Sequence, residues 1–339
     1  MSSKKSSPYI IAEIGQAHEG SIGILYSYID ALAQTGVDAV KFQMHIAEAE
    51  SSMHEPFRVQ FSFEDKTRFD YWKRIGFSLK QWKGIKKHCE GLGLDFICSP
   101  FSNLAVDWLE EMGVMQYKIG SGEVANFLIL EKIAQTGKPI ILSSGMSSYA
   151  ELDHAVNFLK ERKVNFSILQ CTTAYPTIPE HYGLNVINEL KERYKVPVGF
   201  SDHSARLETC IAATALGASI LEFHVVFDRQ LFGPDVKASL TIQETKDLVL
   251  AVKNIATALS NPIDKNNNTN FSELKQIFEK SLAANKKLLK NHVITFDDLE
   301  AKKPKGYGVD AMRFQEVIGK VLNRDLNQWD FLNEEDLFT

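Results

Sequence analysis

The chain of 339 residues has a formal net charge of −5 at pH 7, with acidic and basic residues interspersed. This distribution predicts neither a basic face for nucleic acid nor a polybasic patch for a membrane surface. No apolar run reaches the roughly 18 residues of a membrane span, and the first residues lack the apolar core of a secretory signal. We therefore expect a cytoplasmic protein whose partner is a small molecule.

Eight short apolar runs are predicted as strands. In chain order they cover Tyr9–Gly15, Ala39–Met44, Asp95–Pro100, Met115–Gly120, Pro139–Gly145, Asn165–Cys171, Val196–Ser201 and Ser219–Val225. Apolar residues spaced three and four apart predict helices over 21–35, 78–91, 102–112, 126–136, 148–162, 183–194, 206–217 and 241–259. Eight βα repeats are typical of a closed parallel TIM (β/α)8 barrel. An open doubly wound sheet usually has a glycine-rich dinucleotide fingerprint after its first strand, and this sequence has none.

Two segments depart from this pattern. The stretch 50–77 is too long for an ordinary βα loop and is predicted to form a partial lid at the rim of the barrel. The asparagine-rich, polar stretch 261–278 has the composition of a linker. We therefore expect a barrel domain over 1–260 and a small domain over 279–339, which is marginal for independent folding and is expected to dock on a barrel.

Charged and polar residues interrupt the predicted strands. Glu13, Lys41, Lys118, Glu222 and His224 are each embedded in an apolar run. They are predicted to face a filled, polar end of the barrel, because an outward-facing charge would lie under a helix. The four cysteines are scattered among apolar residues without metal-binding or disulfide spacing, so they are predicted to be structural thiols.

Two histidines lie at the ends of successive predicted strands. His203 follows one strand and His224 ends the next, so their imidazoles are predicted to converge on one rim, where they could bind a divalent metal. Two hydrogen-bonded rim histidines are the alternative, because two ligands without a nearby carboxylate make a weak site. Glu222 and Asp235 supply carboxylates for a metal or for sugar hydroxyl groups.

An anion pocket is predicted beside these histidines. It combines one ammonium group with hydroxyl groups that follow neighbouring strands: Lys118, Ser121, Ser143, Ser99 and Thr173. Glu13 has two interpretations, a general base or hydroxyl-binding carboxylate, and a structural ion pair with a barrel lysine. His45 borders an acidic loop and is predicted to be solvated.

A series of short motifs occurs at the ends of the predicted strands. They are Ile11-Ala12-Glu13-Ile14-Gly15 with His18-Glu19-Gly20, Val40-Lys41-Phe42-Gln43, Ser99-Pro100-Phe101, Tyr117-Lys118-Ile119-Gly120-Ser121-Gly122-Glu123, Ile141-Leu142-Ser143-Ser144-Gly145-Met146, Ser201-Asp202-His203 and Gly233-Pro234-Asp235. Together they resemble the sialic acid synthases, including the synthases of legionaminic and pseudaminic acid, over nearly the whole chain. Residues 279–339 resemble the antifreeze-protein-like (SAF) domain that follows the barrel in this family.

The resemblance implies condensation of phosphoenolpyruvate (PEP) with an N-acylated hexosamine such as N-acetylmannosamine. The products would be a nine-carbon 2-keto-3-deoxy acid and phosphate, formed with C–O cleavage. It also implies a homodimer in which each small domain closes the barrel of its partner.

Residue roles follow from the same resemblance. It gives a catalytic set of Glu13, Lys118, His203 and His224, in which the histidines bind manganese, or magnesium or cobalt as substitutes, and Glu13 handles protons or orients water. It assigns PEP to Ser99, Lys118, Ser121, Ser143, Thr173 and Ser201. It assigns the sugar to Gln43, Glu123, Tyr175, Asp235 and Lys303.

Three positions depart from the family pattern. Thr173 replaces a usual asparagine, Lys303 replaces the arginine of an Arg-Pro-Gly motif, and Lys237 stands where many members have a small or neutral residue. A lysine keeps the charge of arginine but loses its planar fork. Two other functions therefore stay open, a PEP- or sugar-binding protein without turnover and a metal-dependent aldolase that uses pyruvate.

Overall fold

A computed structural model describes residues 7–338. The first six residues, where the sequence predicts no secretory signal, and Thr339 lie outside the described residues. The chain divides into two compact units, one ending at Asn261 and the other beginning at Pro262. No helix of the described part is long and apolar enough to cross a membrane.

The first unit is a parallel β-barrel. Its strands are β1 (Tyr9–Glu13), β2 (Ala39–Met44), β3 (Asp95–Pro100), β4 (Tyr117–Ile119), β5 (Ile140–Ser143), β6 (Phe166–Cys171), β7 (Val198–Asp202) and β8 (Ile220–Val226), with a short β9 (Leu240–Thr241) beside β8. Hydrogen-bonded neighbours are parallel in the order β3-β2-β1-β8-β7-β6-β5-β4, and β3 and β4 are in contact where the barrel closes. The predicted TIM barrel is confirmed.

Helices surround the barrel and follow its strands. The α-helices of this unit are α1 (Ile22–Ala33), α2 (Ala47–Glu50), α3 (Arg68–Ile75), α4 (Leu79–Gly91), α5 (Asn103–Met112), α6 (Phe127–Ala134), α7 (Tyr149–Glu161), α8 (Val186–Tyr194), α9 (Leu207–Ala215) and α10 (Ile242–Ser260). Ser78, Ser148 and Thr241 begin three of them with capping boxes, which satisfy backbone N–H groups of the first turn. All eight predicted helices are present, and α2 and α3 belong to the insertion between β2 and β3.

The interior of the barrel is layered. One apolar layer contains Ile11, Ala39, Ile97, Ile141 and Leu169. Side chains two residues apart on a strand point to the same side, so the next layer towards the C-terminal ends of these strands contains Glu13, Lys41, Ser99, Ser143 and Cys171. The apolar layer closes the bottom of the barrel, and the polar layer is left to form a site.

The second unit has its own small apolar core. Strands β10 (Ser281–Ala284) and β11 (Leu299–Lys302) pair antiparallel, and the core includes Leu282, Leu322 and Leu326. Its helices are α11 (Ser272–Phe278) and α12 (Phe314–Val317), and α11 lies inside the stretch predicted as a linker. The assignment of this unit to the antifreeze-like class stays a prediction.

Candidate active site

A buried network of alternating charges fills the C-terminal end of the barrel. Glu13 on β1 forms an ion pair with Lys41 on β2, and Lys41 Nζ also lies 3.5 Å from Glu222 Oε1 on β8. Lys118 Nζ on β4 lies 3.1 Å from the same Oε1 atom and 2.8 Å from Ser143 Oγ. All four charged side chains are buried. Two cations therefore balance two anions, which limits the cost of removing them from water.

The network sets the charge of its carboxylates. Burial alone would raise the pKa of Glu13, but the positive charges of Lys41 and Lys118 hold it well below its usual range. Burial also opposes ionisation of Glu222, and the charges of Lys118 and Lys41 overcome it and lower the pKa. Both carboxylates are thus ionised at neutral pH. The ion pair predicted as one interpretation of Glu13 is present.

Glu13 also faces the two histidines predicted to bind metal. Its Oε2 lies 3.2 Å from His224 Nε2, and the ring centroids of His203 and His224 are 5.2 Å apart. His203 Nδ1 lies 2.9 Å from the carbonyl oxygen of Thr172. A carbonyl only accepts, so Nδ1 donates and Nε2 is left as the ring atom that can bind a metal.

The donor set of this centre is small. No group of three or more His, Cys, Asp or Glu side chains in residues 7–338 is arranged to hold a metal ion. Burial lowers the pKa of His224 despite the opposing charge of Glu13, which favours the neutral, metal-binding ring. Burial would also lower the pKa of His203, but the Cys171 side chain and the Thr172 carbonyl raise it, so a metal competes with a proton there. Two imidazoles fit one divalent cation whose other ligands come from water or substrate.

Hydroxyl groups without partners lie at the same end of the barrel. Ser99 Oγ and Thr173 Oγ1 are buried, and neither has a hydrogen-bond partner among the described residues. Ser121 Oγ accepts a hydrogen bond from the Gly145 amide at 3.2 Å. A Cβ atom on Gly145 would lie 2.5 Å from Thr173 Oγ1 and 2.6 Å from Ser121 Oγ. Because a buried hydroxyl without a partner is costly, these hydroxyls indicate a polar ligand. We call Ser99, Ser121 and Thr173 the hydroxyl cradle, of which Ser121 and Thr173 lie beside Gly145.

A cavity of about 430 Å³ opens onto Ser121 and Thr173. Its lining includes four residues predicted to contact a sugar, together with Ser121, Thr173 and His224: Gln43, Glu123, Tyr175 and Asp235. Gln43 Nε2 donates to Glu13 Oε1 at 2.8 Å, which connects the cavity to the charge network. Ser201 donates to Glu222 Oε1 at 3.1 Å and lies within that network. The structure therefore brings the predicted barrel residues to one end of the barrel.

His45 is buried, so its predicted solvated position is wrong. Its ring is stacked between Trp72 and Phe101, with centroid distances of 3.6 and 4.5 Å. Nδ1 lies 2.6 Å from Glu50 Oε1, and Nε2 lies 3.1 Å from Gln43 Oε1. Burial therefore leaves neither ring nitrogen without a hydrogen-bond partner. The error arose because α3 of the insertion folds back over the end of β2, which no local pattern reveals.

Two arginines of the predicted lid also line the cavity. Arg58 Nη2 lies 2.6 Å from Asp235 Oδ1, and its guanidinium lies 4.2 Å from the centroid of the Tyr175 ring. The guanidinium of Arg68 lies 4.0 Å from the centroid of the Trp72 ring. Sequence reasoning gave neither arginine a role, because Arg58 lies in an irregular loop, which has no periodicity from which the direction of a side chain follows, and Arg68 begins α3, a helix that was not predicted.

Three further lysines were singled out in the sequence. Lys41 belongs to the charge network, and the signal that identified Lys118, a charge inside an apolar strand, applied to it equally. Lys237 is exposed. Lys303 lies in the second unit, with Nζ 4.9 Å from the centroid of the Phe278 ring, and its role towards a sugar stays a prediction.

Comparison with known proteins gives consistent matches. The model of the NeuB family matches residues 28–264. The chain is 33% identical to an N,N'-diacetyllegionaminic acid synthase of Campylobacter jejuni, over 96% of this chain and 98% of that protein. It is 32% identical to the human N-acetylneuraminate-9-phosphate synthase, over 96% and 92% of the two chains. A crystal structure of N-acetylneuraminic acid synthetase from Leptospira borgpetersenii in complex with citrate superposes with a TM-score of 0.71 and 31% identity, covering 80% of this chain and 90% of that one.

Proposed function

The chain belongs to the NeuB family and is an enzyme of the synthase type, and from this premise we propose that it condenses PEP with an N-acylated hexosamine. In this reaction C3 of PEP forms a bond to the aldehyde carbon of the open-chain sugar. Water then adds to C2, and phosphate leaves with cleavage of the C2–O bond. The proton released by water balances the one gained by the aldehyde oxygen, and the product is a nine-carbon 2-keto-3-deoxy acid.

The observation that carries the proposal is the position of Glu13 between two functional groups of the barrel end. On one side it faces His224, and on the other it contacts Lys41 of the charge network. The same end holds Ser99 and Thr173, whose hydroxyls have no partner among the described residues. A carboxylate, a pair of imidazoles and hydroxyls without partners at one end of the barrel suit a reaction that joins an aldehyde to an anionic enol ester.

PEP is proposed to occupy the hydroxyl cradle and the neighbouring ammonium group. Lys118 attracts its anionic groups, exchanging part of its contact with Glu222 for the ligand. Ser99 and Thr173 donate their free hydroxyls, and the remaining contacts come from Ser121, Ser143 and Ser201. The missing side chain at Gly145 provides the room that these contacts need.

His203 and His224 are proposed to hold one divalent cation, manganese in the first place with magnesium or cobalt as substitutes. When bound, such a cation supplies Lewis-acid activation of the sugar aldehyde. The Thr172 carbonyl keeps the His203 ring oriented for this purpose. The metal dependence is an expectation of the two-imidazole donor set and is tested below.

Glu13 is proposed to orient the water that adds to C2. Its low pKa makes Glu13 a weak base, so it acts mainly as a hydrogen-bond acceptor for the attacking water. The proton that the water releases balances the one gained by the aldehyde oxygen. The sugar is proposed to contact Gln43, Glu123, Tyr175 and Asp235, since carboxylate and amide oxygens accept hydrogen bonds from hydroxyl groups.

The decisive experiment uses PEP labelled with ¹⁸O at the bridging oxygen. Incubation with Mn²⁺ and a panel of N-acylated hexosamines is expected to give a nine-carbon acid without label and phosphate with label, read by mass spectrometry. Label in the acid, or product from pyruvate in place of PEP, would contradict the proposed chemistry. Product from none of the sugars would contradict a synthase and favour a binding protein.

A pair of histidine variants tests the metal assignment. His203→Ala is expected to abolish turnover and to weaken Mn²⁺ binding, measured by calorimetry on the unreacted protein. His154→Ala is the matched control, because His154 is exposed on α7 and its loss is expected to change neither measurement. Unchanged Mn²⁺ binding by His203→Ala would refute the assignment.

A further inference from the structure

The cavity has an excess of carboxylates on its acceptor side. Four carboxylate side chains line it: Glu50, Glu55, Glu123 and Asp235. Its lining contains two guanidiniums, those of Arg58 and Arg68, and no lysine among the described residues. Burial raises the pKa of Glu123, and the nearby charge of Glu50 raises it further. The field in this part of the cavity therefore already opposes an additional negative charge.

Most of the positive charge in the cavity is committed to these carboxylates. Arg58 lies 2.6 Å from Asp235 and 4.2 Å from the Tyr175 ring, where it is held by both an ion pair and an aromatic face. The His45 imidazole on this wall has its Nδ1 atom 2.6 Å from Glu50 Oε1. Neither group is available to a ligand unless an existing contact breaks.

Arg68 is the remaining cation, and its surroundings are mostly aromatic. Its guanidinium lies within about 6 Å of four ring centroids, those of Phe57, Phe61, Tyr71 and Trp72. The nearest carboxylate oxygen is Glu55 Oε1, 3.8 Å from Arg68 Nε. One guanidinium beside a carboxylate can donate hydrogen bonds to a neutral carbonyl, but it does not balance a phosphate dianion.

Within the proposed synthase function, we propose that the acceptor is an uncharged N-acylated hexose and not its phosphate ester. Relatives of similar identity are named for both kinds of product, a diacetylated nine-carbon acid and a 9-phosphate, so overall similarity does not decide between them. The cavity does, because its four carboxylates can accept hydrogen bonds from sugar hydroxyls and, outnumbering the two guanidiniums of the lining, disfavour a second phosphate. Of these two guanidiniums, that of Arg68 has no carboxylate oxygen of residues 7–338 closer than 3.8 Å and is the one proposed to donate to the acyl carbonyl of the acceptor.

The test compares acceptors that differ only in charge. With PEP and Mn²⁺, kcat/KM is measured for N-acetylmannosamine, for its 6-phosphate and for an uncharged hexose with two acetamido groups. The better uncharged sugar is expected to exceed the phosphate ester by about 100-fold or more, because like charges placed together in a partly buried site are strongly unfavourable. Detection by product mass avoids interference from phosphate carried by the acceptor.

A charge-removing variant attributes the preference to the cavity wall. Glu55→Gln keeps the shape of the side chain and its acceptor oxygen for Trp72 Nε1, which donates to it at 3.0 Å. In this variant the ratio of kcat/KM for the uncharged sugar to kcat/KM for the phosphate ester is expected to fall by about 5-fold, because kcat/KM for the phosphate ester rises. Glu64→Gln is the control, because Glu64 is an exposed carboxylate of the same loop and does not line this cavity; its preference is expected to match that of the original protein.

The outcomes separate this inference from the function on which it rests. Equal or faster turnover of the phosphate ester overturns the inference and leaves the synthase function in place. Turnover of one or both uncharged sugars, without turnover of the phosphate ester, supports the synthase function and the preference for an uncharged acceptor. No product from any of the three acceptors, with PEP and Mn²⁺ present, refutes the proposed function and this inference with it. An unchanged preference in Glu55→Gln overturns the charge explanation.

Discussion

Replacing Gly145 with alanine tests whether the hydroxyl cradle binds PEP. The added carbon would lie 2.5 Å from Thr173 Oγ1, which is 0.9 Å short of the 3.4 Å at which ordinary contact begins, and 2.6 Å from Ser121 Oγ. Both hydroxyls must move. A hydrogen bond to a charged group contributes about 1.5–3 kcal/mol, so losing two predicts a cost of about 3–6 kcal/mol, or a fall of about 10²- to 10⁴-fold in kcat/KM for PEP.

The assay measures kcat/KM for PEP at saturating acceptor, together with the urea midpoint of unfolding. Gly91→Ala is the control, because Gly91 is exposed at the end of α4, does not line the cavity, and its added carbon would meet no atom of residues 7–338 within 4 Å. We expect the control to lose less than about twofold in kcat/KM, as substitutions away from special features do. Folded Gly145→Ala protein that keeps its kcat/KM for PEP within about threefold would refute the position of PEP in the cradle.

Three further predictions concern the buried polar layer. Ser99→Ala removes a hydroxyl without a partner in residues 7–338, so it is expected to leave the urea midpoint unchanged or higher while raising KM for PEP about 10-fold. Glu13→Gln is expected to lower kcat by about 100-fold or more and, because Lys41 loses one partner, to lower the free energy of unfolding by about 3 kcal/mol; adding Lys41→Met should recover part of that stability but not activity. The depressed pKa values of Glu13 and Glu222 predict stability that is complete above their unfolded value of 4.5 and is lost as pH falls below it. The lowered pKa of His224 adds a loss that begins below its unfolded value of 6.5, so the free energy of unfolding in urea should decline in two stages, the steeper one beginning below about pH 5, and absence of that steeper stage would contradict the carboxylate origin.

The barrel and its polar layer could be predicted because the two-residue period of a strand fixes the side to which each side chain points. A charge such as Lys118 inside an apolar strand has one place to point, the filled end of the barrel, and neighbouring parallel strands bring such residues together. The same logic placed His224 beside Glu13, which are opposite each other in the register of β1 and β8. Where the predicted and observed bounds of a strand differ, they differ at the ends of the strand; for example, β1 ends at Glu13, before Gly15 with its positive φ of 53°.

The acceptor wall could not be predicted from the sequence. Glu55, Arg58 and Arg68 come from the insertion, where no repeat relates one residue to the next. Their positions depend on long-range packing, since Trp72 of α3 stacks on His45 just after β2. His45 was judged by its acidic neighbours in sequence, whereas its burial is decided by aromatic rings 27 and 56 positions away along the chain.

The residues proposed to bind PEP come from the barrel, and the wall proposed to contact the acceptor comes from the insertion between β2 and β3. This separation has a consequence for how the acceptor specificity of such enzymes can change. The residues proposed to bind PEP lie on or next to barrel strands, whereas Glu55 and Arg58 lie in the irregular part of the insertion and Arg68 begins α3. Residues 51–67 contribute none of the three stacked rings of Trp72, His45 and Phe101 and no barrel strand, so substitutions there change the cavity wall at Glu55 and Arg58 without replacing either. Substitutions in this one insertion could therefore change the acceptor sugar, and with it the nine-carbon product, during evolution. A chimaera that carries the insertion of a relative is expected to acquire the acceptor specificity of that relative.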